Sequence, residues 1–112
     1  MSPALTQVGL KAAVSAGVEE ATLALSTSVL IPANRIITWL HTEDAAIVLE
    51  ALERDGSTWE NVENVDGTPV ASNAAVTPTL TGSISSDGSN LRLRNGDGVN
   101  AWEYKYGYWT LV

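Results

Sequence analysis

The sequence contains no cysteine, one histidine, and only six lysines and arginines among its 112 residues. Without cysteine, neither a disulfide framework nor a cysteine-held metal site is possible, and the redox compartment is left open. His41 is the single histidine and no serine sits in a Gly-x-Ser-x-Gly elbow, so a nucleophile with a histidine base would have to be built from scattered parts. Phosphate-cradling glycine loops and metal-ligand spacings are also missing, so no cofactor, no metal and no catalysis is expected. No apolar run approaches the roughly twenty residues that span a bilayer, and the N-terminus lacks the basic-then-apolar layout of a signal peptide. The chain is therefore expected to be soluble, with no membrane partner.

The shortage of positive charge excludes a further class. A net charge of −7 argues against a nucleic-acid backbone as the main partner, because such binding depends on clustered lysine and arginine. The distribution says more than the total. Residues 1–42 balance Glu19 and Glu20 against Lys11 and Arg35, and residues 67–112 balance Asp87, Asp97 and Glu103 against Arg92, Arg94 and Lys105. The excess lies in 43–66, where Glu43, Asp44, Glu50, Glu53, Asp55, Glu60, Glu63 and Asp66 meet only Arg54. That stretch reads either as a solvated hairpin whose charges blunt an edge strand, or as an acidic patch that docks on a basic surface.

What the chain does have is strand and turn chemistry. At this length one domain is expected, burying roughly two thirds of its unfolded surface in a single core. Its centre is 45–62, AAIVLEALERDGSTWENV. In a strand register Ile47, Leu49 and Ala51 face one way and Val48, Glu50 and Leu52 the other; Asp55-Gly56 supplies the turn, and Trp59 and Val62 return. A helix competes, with Thr42 as cap, Glu43 and Asp44 in its first turn, Glu50 and Arg54 at i,i+4 and Gly56 to end it. The strand is preferred because Ile47 falls on the polar side of the helical wheel and the surrounding composition is that of strands.

Elsewhere, Leu23, Leu25, Thr27 and Val29 alternate, Pro32-Ala33-Asn34 breaks the run, and RIITWLH begins a second strand at Arg35. After a Ser/Thr/Ala-rich span in which Leu80 and Ile84 look inward, LRLR over 91–94 alternates with its arginines outward. Asn95-Gly96-Asp97-Gly98 turns the chain, and its alternate oxygens at Asn95, Asp97 and Asn100 raise calcium as a minor alternative. The last strand aligns Trp102, Tyr104, Tyr106 and Tyr108 on one face with Trp109 on the other, and Gly107 marks a bulge. Such a row can pack a core edge, stack on sugar rings or fill a subunit interface. The fold class is thus all-β: an antiparallel β-sandwich or small barrel of about seven short strands.

Residues 1–17 stand apart as an N-terminal arm or short helix before a sandwich domain at 18–112. The segment is nearly uncharged and holds Leu5, Val8, Leu10 and Val14 as its sizeable apolar groups. Leu5, Val8 and Ala12 would share a helical face, whereas Leu10, Ala12 and Val14 alternate like a strand. A segment too apolar for a solvated tail and too sparse for a core is expected to lie on its own domain or on a neighbouring chain.

The stretch IVLEALERDGSTWENV resembles the strand, Asp-Gly turn and Thr-Trp return of small β-sandwich proteins from tailed-bacteriophage virions, and LRLRNGDG followed by an aromatic strand is similar to the way such chains finish. The resemblance covers about half the chain. It implies a virion structural role as a capsid decoration (cement) protein, head fibre or tail component, with no catalytic residues. It also implies the major capsid protein as partner, a homo-oligomer with a trimer among the options, and a place on the capsid surface. The candidate contacts are Leu5, Val8, Leu10 and Val14 in the arm and Trp102, Tyr104, Tyr106 and Tyr108 in the last strand. The runner-up function is a carbohydrate- or receptor-binding module of a tail or fibre.

Overall fold

The computed structural model describes residues 15–63, 84–86 and 90–111. These form eight strands: β1 Ser15–Leu23, β2 Ser28–Leu30, β3 Arg35–Thr42, β4 Ile47–Leu52, β5 Trp59–Asn61, β6 Ile84–Ser85, β7 Leu91–Asn95 and β8 Trp102–Thr110. They make two four-stranded sheets, one in the order β1-β8-β3-β6 (sheet A) and one in the order β2-β7-β4-β5 (sheet B), with every pair antiparallel. The molecule is a sandwich rather than a barrel. Among the described residues no helix is long and apolar enough to cross a membrane.

The central hairpin is a strand pair, not a helix. Ile47 and Leu49 are fully buried on the inner face of β4, which a helix would have divided between its two sides. The connection is wider than a two-residue turn. Leu52 pairs with Trp59 across a loop in which Gly56 takes a φ of 75° and the Asp55 carboxylate accepts the amides of Ser57 and Thr58. Val48 and Glu50 face outward on β4 beside Arg94 and Arg92 of β7, whose alternation follows the LRLR pattern.

Three local expectations are corrected. The alternating run 23–29 is not one strand, because the chain turns between Leu23 and Ser28. There Ser26 adopts a φ of 51°, Leu25 is exposed, and the turn is tied to the 95–100 loop by the Ser26 amide, which donates to the Asp97 carbonyl at 3.0 Å. Periodicity alone could not show this, since the anchor is some seventy residues away. Second, Ser15, Ala16 and Gly17, read from the sequence as the end of the arm or short helix, are strand residues of β1. Third, the bulge lies in β3 between Ile37 and Trp39, opposite Gly107, and Thr38 is the extra residue.

One core joins the sheets. Leu23, Ile37, Leu40, Tyr104 and Tyr106 from sheet A meet Ile47, Leu49, Leu91 and Leu93 from sheet B, with Ile31 between, and Val62 and Ile84 pack against them. Leu80 lies outside the described residues.

Candidate functional site

Strand register fixes which side chains share a face, because directly paired residues point the same way. In sheet A, Tyr104 pairs with Ala21 and Thr42, Tyr106 with Glu19 and Leu40, and Tyr108 with Gly17 and Ile37. This is the inner face. Tyr104 and Tyr106 are buried and stacked, with ring centres 6.2 Å apart, and Tyr108 follows at 5.8 Å. Arg35 closes the row: its Nη1 donates to the Tyr106 hydroxyl at 2.8 Å and to Glu19 at 3.4 Å, and its guanidinium lies 3.9 Å above the Tyr108 ring. Burial pushes the phenols of Tyr104 and Tyr106 above their ordinary range. Of the residues read as an aromatic contact strand, Tyr104 and Tyr106 are therefore core, while Trp102 and Tyr108 are half-buried at its border. Leu5, Val8, Leu10 and Val14 lie outside the described residues.

The other face of sheet A carries the exposed tryptophans. Ala16 and Val18 of β1, Trp109 of β8 and Ile36 and Trp39 of β3 share it, and Val18, Trp39 and Trp109 are 58%, 38% and 44% exposed. They border an open depression of about 320 Å³. Gly107 is its floor, and a Cβ there would fall inside the Trp39 indole; a Cβ on Gly17 would lie 2.5 Å from the Tyr108 hydroxyl. Each glycine lets an aromatic ring lie flat on the neighbouring backbone. Val18, Trp39 and Trp109 thus form an exposed apolar group on one face of the sheet.

Towards the opposite end the same face turns polar. Lys105 stands between Glu20 and His41 in register, and with Glu43, Glu103 and Tyr104 they line a pocket of about 190 Å³. Among the described residues no group of three or more histidines, cysteines, aspartates and glutamates is placed to hold a metal. Of the three side chains raised for calcium, Asn95 and Asp97 already accept hydrogen bonds through their oxygens. Asn95 Oδ1 accepts the Asp97 amide at 2.9 Å, and the Asp97 carboxylate accepts the amides of Val99 and Asn100 and the indole N–H of Trp102.

Those bonds, the Val99 amide first, hold Asp97 down from the usual 3.8 to about 2; at Asp55 the Thr58 hydroxyl and then the Ser57 amide do the same, also to about 2. Unfolded, both carboxylates take up protons near their ordinary value; folded, they stay charged until about pH 2. Their stabilisation is complete above the ordinary value and is lost as pH falls towards 2. The melting temperature should therefore decline between about pH 4 and pH 2, and the Asp55→Asn, Asp97→Asn double variant should decline less steeply; equal slopes would contradict this.

Three charged residues that the sequence placed at the surface are tied to one another. Glu50 is buried although it faces outward, accepting Arg92 Nε at 2.8 Å and Arg94 Nε at 3.2 Å, while Arg92 stacks 4.2 Å over Trp59. The acidic excess of 43–66 is thus partly answered from β7. A scan against protein-family models finds no match, and a search of curated proteins returns none either. The reading of the site rests on its own geometry. Val18 and Trp39 were not among the residues singled out from sequence; the usable signal was Trp109, opposite in phase to the tyrosine row.

Proposed function

We propose that this chain is a non-enzymatic virion structural protein of a tailed bacteriophage, a capsid decoration protein that binds the assembled coat lattice and stabilises it. The observation that carries this reading is the outer face of sheet A, where Val18, Trp39 and Trp109 stand exposed on three hydrogen-bonded strands. A rigid apolar patch with a charged row beside it suits a protein surface that is itself ordered and repeated, because each contact costs little side-chain ordering. The resemblance of the central hairpin to virion proteins supplies the kind of partner.

The Trp109→Ser, Val18→Ser double variant tests it, since neither residue belongs to the core cluster. Mixed with purified coat particles and sedimented, the parent should travel with the particle and the variant should remain in the supernatant, with melting temperatures within a few degrees of each other. Equal sedimentation of both would overturn the assignment of this face. The exposed indoles of Trp39 and Trp109 on one face also favour a second reading, a carbohydrate-binding module, through stacking of a sugar ring on either of them. Glycan binding by the parent, lost in the variant and without particle binding, would select it.

A further inference from the structure

Of the seven asparagines in the chain, Asn95 alone is followed by glycine. That dipeptide is among the most self-reactive in protein chemistry. The backbone nitrogen after an asparagine can attack the side-chain carbonyl carbon, and glycine leaves the approach unhindered and the backbone free to turn. In the attack the Gly96 nitrogen gives its proton to hydroxide, a bond forms from that nitrogen to Cγ of Asn95, and Nδ2 takes up a proton and departs as ammonia. Water then opens the five-membered imide at one carbonyl or the other, leaving aspartate or isoaspartate at position 95. Water and hydroxide are the only other reactants.

The fold engages each atom that this reaction needs. Asn95 is 1% exposed, which keeps hydroxide and water from it. The nucleophile is occupied, because the Gly96 N–H donates to the Ala46 carbonyl at 2.9 Å. So is the leaving group: Nδ2 donates to the carbonyls of Leu23, Ala24 and Asn100 at 3.1, 3.3 and 3.0 Å, and turning Cγ towards Gly96 would leave those carbonyls unpaired. The backbone is held as well, since the Asn95 N–H donates to the Thr27 carbonyl at 2.9 Å and the residue pairs with Ile47 at the end of β7. The Asp97 amide, 2.9 Å from Oδ1, would by itself draw charge onto that oxygen and favour attack. It acts here on a carbonyl whose nucleophile is directed to another partner.

We propose that Asn95-Gly96 is a site of spontaneous deamidation which the native fold keeps closed, so that conversion of Asn95 is an irreversible record of unfolding. When the sheets part, these bonds break together and the dipeptide reacts as it would in a free peptide. The product does not return to the same molecule. Aspartate presents an acceptor where three carbonyls require a donor, and isoaspartate adds a backbone carbon at the residue that pairs with Ile47. Converted chains refold into weaker molecules that open more often. The inference rests on β7 and the loop after it, and it stands whatever covers the outer face of sheet A.

The full chain is incubated at one mildly alkaline pH, in buffer and in guanidinium, and conversion is located by fragment masses after an acid-quenched digest. Conversion at Asn95 should be at least about a hundredfold slower in buffer, because a stable domain is unfolded less than about one part in a thousand of the time. In guanidinium Asn95 should convert before any other asparagine. Gly96→Ala should slow that conversion by about tenfold or more, because a Cβ restricts the turn that the attack requires. In the folded chain the same Cβ meets first the movable end of Arg94, Nη1 at 3.0 Å. After a long hold in guanidinium and dilution, the parent should therefore melt lower than before, while Gly96→Ala keeps its own melting temperature. Similar rates with and without denaturant, faster conversion at another asparagine in guanidinium, or a converted parent that regains its full melt would each overturn the proposal.

Discussion

Replacing Asn95 with alanine should lower the unfolding free energy by roughly 2–4 kcal/mol, through several net hydrogen bonds and the cost of leaving enclosed carbonyls unpaired. Asn95 is 1% exposed at the end of β7, and its amide nitrogen donates to the carbonyls of Leu23, Ala24 and Asn100 at 3.1, 3.3 and 3.0 Å. One side chain therefore ties together β7 of sheet B, the end of β1 in sheet A and the loop leading to β8. Asn95→Asp keeps the shape and the bond from the Asp97 amide but turns a donor towards three carbonyls into an acceptor, so it should fare no better than alanine. Urea unfolding of both variants measures this. A loss below 1 kcal/mol for alanine would show that the loop holds itself.

Leu49→Ala should cost on the order of 2–5 kcal/mol, because the lost transfer energy and the cavity left behind add. Leu49 is fully buried, pairs with Leu93 in the centre of sheet B and belongs to the shared core. Val48, one residue away on the half-buried outer face, supplies the control. Val48→Ala removes fewer atoms from a site that water already reaches, and should cost below about 1.5 kcal/mol. If the two substitutions were equal in a thermal or urea melt, the assignment of faces along β4 would fail.

Much of this fold was legible in the residues. Ile47, Leu49 and Ala51 announced the inner face of β4, Gly56 the turn, Pro32-Ala33-Asn34 the break before β3, and Leu91 and Leu93 the inward face of β7, because each depends on neighbours two to six residues away. What failed to show depends on distant partners. The turn after Leu23 exists because the 95–100 loop receives it, and Glu50 is buried because two arginines of β7 reach across to it. The aromatic row was visible as a row, but whether it faced core or solvent depended on β1 and β3 flanking β8. The outer patch needed the same information, since Val18, Trp39 and Trp109 come from three strands that are not neighbours in sequence.

The position of β8 also governs how the molecule is made. It lies between β1 and β3 and bonds to both, yet among the described strands it is the last to leave the ribosome. All the described strands of sheet B exist once synthesis passes Asn95, whereas β1 lacks β8, its partner among the described strands, until the chain has been extended to Thr110. Pairing the first described strand with the last gives this sheet the greatest sequence separation available among the described strands, the property that slows closure from microseconds to milliseconds or longer in domains of this size. During that interval β1 has no partner among the described strands, so crowded synthesis on a shared messenger is the stage at which this protein is most exposed to mispairing.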